Sequence, residues 1–222
     1  MQNKSILLEI YNRLYKTYGP QHWWPADTPF EVIIGAILTQ SAAWSNVEKA
    51  INNLKAADVL SCDAIDSMPI DELARLIKPC GYYNVKAIKL KTFVSWLRSR
   101  YHDSLESFFA NDIDSVRTQL LAIKGIGEET ADSIILYASA KPVFVIDAYT
   151  RRIISRTGLM PAAADYTAYQ RFFMHNLPRD VHLFNEYHAL LVNLAKNVCR
   201  KKQPDCEACC LKDICRRMLN PL

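Results

Sequence analysis

The segment Ile123-Lys124-Gly125-Ile126-Gly127-Glu128-Glu129-Thr130-Ala131 can fold in few ways. Helical patterns flank it, over Asp112 to Ile123 and over Glu128 to Ala140. Gly125 and Gly127 can take positive φ, so the chain can reverse there in a tight hairpin. Ile126, between them, can then fill the gap between the two helices. Such a turn leaves backbone N–H groups at a helix start, where the helix dipole favours an anion, so the segment can cradle a phosphate. Twenty residues after Gly127, the apolar run Phe144-Val145-Ile146 ends in a lone carboxylate, Asp147, which can open a further helix. The plain reading of these residues is a helical hairpin followed by an N-capping aspartate.

The rest of the chain reads as helix. Apolar residues at Ile6, Leu7, Ile10 and Leu14 give Ser5 to Tyr18 a helical period that Gly19-Pro20 ends. Trp23-Trp24-Pro25 lies in a loop, where paired tryptophans serve as buried anchors or as ligand walls. Thr28-Pro29-Phe30-Glu31 is a capping box with proline in the first turn. It opens a helix to Gln40, and Ser45-Asn46-Val47-Glu48 offers a second capping box after a short break. Two short helices are expected around Met68-Pro69. From Asn84 to Tyr101 there is no acid, but there are Lys86, Lys89, Lys91, Arg98 and Arg100. The expected core face of that helix is Val85, Ile88, Phe93, Trp96 and Leu97, and its cations could track phosphates or simply be solvated. Further helices are expected over Asp147 to Arg156, Tyr166 to His175 and Val181 to Val198. The one strand-like piece, Val143 to Ile146, reads equally as an extended connector.

Seven cysteines in 222 residues bear on the cofactor. The chain opens into an amphipathic helix and not a signal peptide, and no apolar run reaches spanning length, so a cytoplasmic setting is expected. Thiols there serve metals or reactivity before disulfides. Cys199, Cys206, Cys209 and Cys215 follow the spacing C-x6-C-x2-C-x5-C. Four such thiolates can enclose an iron–sulfur cluster or a zinc ion, though structural zinc usually uses two C-x2-C knuckles and only one is present. Cys210, Cys62 and Cys80 are read as bystanders. The first loop carries Arg200-Lys201-Lys202. The net charge, +4, is too mild to decide a partner alone.

These motifs together resemble the DNA glycosylases related to endonuclease III, the helix-hairpin-helix (HhH-GPD) superfamily. The resemblance rests on Gly-Ile-Gly with the downstream Asp147, Leu-Thr-Gln ending at Gln40, Gly81-Tyr82-Tyr83-Asn84-Val85-Lys86-Ala87, and the cysteine spacing, which matches the family's [4Fe–4S] loop at every interval. It implies an all-α fold of two helical domains flanking a DNA- and base-binding cleft. One is a six-helix barrel with the hairpin, over residues 21–132. The other is discontinuous, residues 1–20 and 133–222, and carries the cluster. It also implies roles: Asp147 as the catalytic carboxylate, Gln40 entering the gap left by a flipped base, and Cys199, Cys206, Cys209 and Cys215 as cluster ligands. DNA contacts would come from Lys86, Lys124, Gly125, Ile126, Gly127, Arg200, Lys201 and Lys202. The implied partner is double-stranded DNA with a damaged base, bound by a monomer.

Departures from the family pattern sharpen this. Bifunctional members carry a lysine two residues after the second hairpin glycine, and its amine forms a Schiff base. Glu129 stands there, and a carboxylate cannot form that imine. Lys124 lies on the other side of the turn, at the family's usual proline. The resemblance therefore implies a monofunctional enzyme. Trp-Trp-Pro, Leu-Thr-Gln, an aromatic residue four positions later and Gly-Ile-Gly-x-Glu resemble the 3-methyladenine glycosylase branch. Alkylated purines are cationic; Trp24 and Trp44, with Trp23, could stack on them, and Glu129 could add negative charge. Excision of mismatched thymine or uracil, of oxidised pyrimidines, or of adenine opposite oxidised guanine stays open. So does a non-catalytic iron–sulfur DNA-binding protein, whereas an electron carrier would need neither hairpin nor basic loops.

Overall fold

The fold is described from a computed structural model of the chain covering residues 2–216. Among the described residues every regular element is helical. The chain divides into two compact units, Trp24–Lys141 and the combination of Met1–Trp23 with Pro142–Leu222. The second boundary falls beyond the expected residue 132. The reason is that the hairpin's second helix continues through a π turn, Ile134–Ala138, which packs on α2 of the same unit.

The unit Trp24–Lys141 contains α2 (Pro29–Leu38), α3 (Trp44–Ala56), α4 (Cys62–Ser67), α5 (Ile70–Leu76), α6 (Tyr83–Tyr101), α7 (Leu105–Phe109), α8 (Ile113–Ala122) and α9 (Glu128–Ser133). Its core is aliphatic around α2, whose Ile33, Ile34, Ile37 and Leu38 are wholly buried. Thr28 caps α2 as expected, its hydroxyl accepting from Glu31 N, but the returning arm differs: Glu31 Oε2 accepts from Asp27 N at 3.0 Å. Glu31 is buried and paired with Lys55 Nζ at 2.7 Å. α3 starts at Trp44 behind Ala43, with no side-chain cap, so the second capping box at Ser45 is not used. A cap contributes about 1 kcal/mol. Starting the helix at Trp44 instead lets its ring meet Trp24 edge to face, centroids 5.3 Å apart, an interaction of similar size.

The register of α6 is a larger correction. Lys86 faces the core, with Ala87, Leu90, Phe93, Val94 and Leu97, while Val85 and Ile88 are exposed. The core face is thus turned by one residue from the expected one. Leu105–Phe109, not anticipated as a helix, caps the far end of α6, where Phe108 packs against Trp96 at 4.9 Å.

The other unit contains α1 (Gln2–Tyr18), α10 (Ala148–Thr157), α11 (Tyr166–Asn176) and α12 (Val181–Asn197). α12 packs on α1 and α10. Phe144, Phe173, Phe184 and Tyr187 form one aromatic core, Phe144 stacked on Phe173 at 3.9 Å. Val143 to Ile146 are buried and form neither helix nor strand. Side chains satisfy this backbone instead: Gln170 Nε2 donates to Phe144 O at 2.9 Å, and Ile146 N donates to the Tyr166 hydroxyl at 3.3 Å.

Candidate functional site

The hairpin forms where the glycines place it. Gly125 takes φ +98°, which a side chain would strain, and Ile126 is buried in the gap as expected. Gly127 does not take positive φ. It is extended (φ −98°, ψ 179°), it caps α9, and a Cβ added there would meet nothing within 4 Å. Its lack of a side chain is not needed by the fold; it leaves open space over the amides that begin α9. Lys124 and Glu129 are exposed on this turn. Arg117 of α8 locks the hairpin by a two-pronged pair with Asp132 of α9, Nε to Oδ1 2.8 Å and Nη2 to Oδ2 3.2 Å. Asp132 is fully buried, so the pair fixes the angle between the two helices.

Gln40 is not a solvated side chain. Its Nε2 donates to Gly125 O and to Thr130 Oγ1, both at 3.0 Å, and its Oε1 accepts from Lys89 Nζ. The stem of Lys89 lies directly over Gly125, so a methyl group there would meet Lys89 Cγ at 2.8 Å. The break after α2, the turn of the hairpin and α6 are therefore joined through one amide. Lys89 is a residue that sequence reasoning placed among surface cations.

Lys86 is a correction to the expected phosphate contacts. It is 2% exposed, and its ammonium donates to Leu38 O at 2.9 Å and Cys80 O at 2.8 Å. Those are the terminal carbonyl of α2 and that of the turn Lys78–Cys80, groups that lack a helical partner. Burial pushes the Lys86 amine below its ordinary value. Its donors serve the fold.

Trp24 and Trp44 meet as described, and Tyr137 from the π turn joins them, its ring 5.3 Å from that of Trp24. All three are half-buried. Gly35 of α2 permits this: an added Cβ would meet the Trp24 indole at 3.1 Å. A π turn shifts the face on which later residues project, which is why the helical period gave no sign of Tyr137. Trp23 sits elsewhere, lining a cavity of about 510 Å³ with Tyr11, Tyr15, His182 and Glu186.

Asp147 caps α10: its Oδ1 accepts from Thr150 N at 2.6 Å. The side chain is 12% exposed, and Oδ2 lies 3.7 Å from Nε2 of His188, on α12. Burial lowers the His188 pKa below its ordinary value, against the opposing pull of Asp147, so the ring is neutral at pH 7. His188 was not singled out by any motif.

Cys199 follows the C-cap of α12, Cys206 and Cys209 share a turn (Cys209 N to Cys206 O, 3.2 Å), and Cys215 follows a turn at Lys212–Ile214. None is in a disulfide. Burial pushes the Cys209 thiol up to about 11, and Cys210, Cys199 and Cys215 add to the shift, so these sulfurs lie within electrostatic reach of one another. Among the described residues no three His, Cys, Asp or Glu side chains converge closely enough to hold a single metal ion. Arg152 and Arg156 of α10 organise the loop. Arg152 Nε donates to Cys199 O at 2.9 Å, and Arg156 donates to Cys199 Sγ at 3.1 Å, Arg200 O at 2.8 Å and Lys201 O at 3.1 Å. Held by its backbone, the loop leaves Arg200, Lys201 and Lys202 exposed. Cys210, next to Cys209, has its carbonyl bound by Arg13.

Comparison with known proteins agrees on the type of molecule. Residues 34–179 match the HhH-GPD superfamily of base excision DNA repair proteins. A protein of Methanocaldococcus jannaschii, named provisionally as a DNA repair glycosylase, is 45% identical over 217 residues, which is 96% of this chain and 98% of that one. The H. pylori 3-methyladenine DNA glycosylase MagIII, solved bound to 1,N6-ethenoadenine, superposes with a TM-score of 0.75 at 30% identity, covering 87% of this chain and 97% of its own. A non-covalent endonuclease III–DNA complex gives a TM-score of 0.85 over 97% and 96% of the two chains; at 20% identity it speaks for the fold alone.

Proposed function

This chain belongs to the HhH-GPD superfamily of base excision DNA repair proteins, and on that premise we propose that it is a monofunctional DNA N-glycosylase acting on alkylated purines such as 3-methyladenine. The observation that carries the reading is Asp147. Its carboxylate is mostly buried and anchored by one oxygen to the start of α10, and the motif resemblance matches it to the family's catalytic carboxylate. In the proposed reaction the bond between C1′ and the base nitrogen breaks, and its electron pair neutralises the cationic purine. The positive charge left on the sugar is stabilised by Asp147. A water oxygen bonds to C1′, and its proton passes to the Asp147 carboxylate and then to solvent.

Glu129 supports the monofunctional part, because no amine stands at its position to form an imine with the opened sugar. Trp24, Trp44 and Tyr137 support the substrate part: three ring faces from one unit suit a flat cationic base that already leaves readily and must mainly be selected. The named specificity of MagIII, over nearly its whole length, points the same way. Gly125, Ile126, Gly127 and Lys124, with Arg200, Lys201 and Lys202, would bind the phosphate backbone of double-stranded DNA.

The four loop cysteines fit a [4Fe–4S] cluster by donor chemistry: four unoxidised thiols, on one segment, with three of them in electrostatic reach and an arginine beside Cys199. Bound there, the cluster would supply iron–thiolate bonds that cross-link Cys199, Cys206, Cys209 and Cys215, a structural part with no share in the hydrolysis.

The test is incubation with duplexes carrying 3-methyladenine, uracil, thymine mismatches and oxidised pyrimidines. Free base and strand breaks are scored separately, with borohydride trapping alongside. Release of methylated purine with an intact abasic strand is expected. Asp147→Asn should lose about a hundredfold or more in rate, and since asparagine caps helices as well as aspartate, folding should be unchanged. Efficient trapping of the unmodified protein would sink the monofunctional reading, and full activity of Asp147→Asn would remove Asp147 from the chemistry.

A further inference from the structure

Asp147 is fixed by its own helix at one oxygen only. Oδ1 takes the Thr150 amide, whereas Oδ2 faces Nε2 of His188 at 3.7 Å. The terminal torsion of an aspartate is broad, so a single anchor leaves the plane of the carboxylate poorly set. His188 comes from the middle of α12, which packs on α10, and it is 7% exposed. Its ring cannot swing away without opening that helix pair. The separation is longer than a hydrogen bond, so the two groups do not form a closed ion pair. A lysine or arginine in this place would pair with Oδ2 and cancel the charge that a sugar cation needs. A buried imidazole, kept neutral by burial, limits rotation and leaves the charge intact.

We infer that His188 is a positioning residue for Asp147, its imidazole edge setting the plane of the carboxylate and holding Oδ2 in place for the reaction. The inference rests on the reading of Asp147 as the reacting carboxylate. It extends the machinery from α10 to α12, a helix that none of the recognised motifs touches.

A double-mutant cycle tests it, using single-turnover release of 3-methyladenine from a duplex. His188→Leu should slow release about tenfold, an ordinary coupling between contacting residues, with affinity for the damaged duplex unchanged within about twofold. In an Asp147→Asn background the same change should cost nothing further. His188→Gln, which keeps a polar edge, should recover most of the rate, and His188→Ala carries the cycle if His188→Leu fails to fold. Equal losses in both backgrounds would overturn the inference, because His188 would then act on the fold at large. Full activity of His188→Leu beside a crippled Asp147→Asn would overturn it while leaving the role of Asp147 standing. Full activity of Asp147→Asn would remove the reading beneath it, and the inference with it. A substrate-independent check is the ¹⁵N spectrum of the histidine rings. Asp147→Asn should move the His188 signals, and unmoved signals refute the contact.

Discussion

Lys86→Met separates two accounts of one lysine. In the motif-based account Lys86 is a phosphate contact, so its loss weakens DNA binding uniformly and lowers the salt slope by about one charge. In the structure its ammonium is buried and satisfies Leu38 O and Cys80 O. Methionine keeps the length and apolar character of the stem, so packing changes little. Two carbonyls lose their donor, and each buried unsatisfied group costs about 1–3 kcal/mol. A positive charge at the C-terminal end of α2 is lost as well, up to about 2 kcal/mol in buried geometry. Against this, the variant no longer buries an ammonium, the penalty that already depresses the Lys86 pKa. The net expectation is a loss of about 3 kcal/mol. For a chain of this size that is a fall in thermal midpoint of roughly 6–12 °C, at 2–4 °C per kcal/mol. Calorimetry gives the midpoint, and titration of undamaged duplex at several salt concentrations gives the slope. An unchanged midpoint with a shallower salt dependence would refute the structural role and restore the phosphate contact.

The two hairpin glycines should behave differently. Gly127→Ala should fold normally, since its backbone is extended and its Cβ meets nothing, yet weaken binding to all duplexes alike; normal binding would count against phosphate approach at α9. Gly125→Ala should destabilise by about 1–3 kcal/mol, from positive φ and overlap with Lys89, and an unchanged urea midpoint would contradict this. Lys89→Met should release one hold on Gln40 and alter the ratio of damaged to undamaged duplex affinity by roughly two- to fivefold; a constant ratio would show the contact to be incidental. The His188 pKa is lowered in the native state, so below pH 6.5 the unfolded chain takes up its proton first. Stability should therefore hold above pH 6.5 and fall as the pH drops toward the native pKa, and His188→Leu should flatten that slope in urea titrations.

Helix positions were legible where capping and period agree. Thr28, Asp112, Asp147, Asp165 and Asp180 each cap a helix with their own side chain. The buried Ile126 and the buried, non-helical run before Asp147 were legible too. The register of α6 was not, because Lys86 looks polar by residue type while its environment is a pair of orphaned carbonyls that no local pattern reveals. Tyr137 was hidden by the π turn, and His188 by sitting one position from apolar neighbours on a helix that its sequence reads as core. Trp23 and Trp24, adjacent in the chain, have quite different surroundings because the division between the two units falls between them.

The cations of this chain divide by what their donors already hold, and the proposed DNA contacts rest on that division. Lys86 donates to two backbone carbonyls, Arg152 and Arg156 to the backbone of the cysteine loop, and Arg117 to a buried carboxylate. Withdrawing Lys86 or Arg117 toward a phosphate would strand a buried acceptor, at about 1–3 kcal/mol each, and withdrawing Arg152 or Arg156 would release the backbone of the cysteine loop. Lys124, Lys201 and Lys202 are exposed, as is Arg200, whose guanidinium donates to the exposed Gln203 O of its own loop at 3.1 and 3.2 Å, and the segments that carry them are fixed through their backbones. One set of cations holds the fold, and the other leaves exposed charge on its own segment. Removal of Lys201 and Lys202 together should therefore lower the salt slope by about two charges without moving the thermal midpoint, whereas Arg156→Met should lower the midpoint and loosen the loop around Cys199. A midpoint that fell with the lysines, or held with Arg156→Met, would break the division.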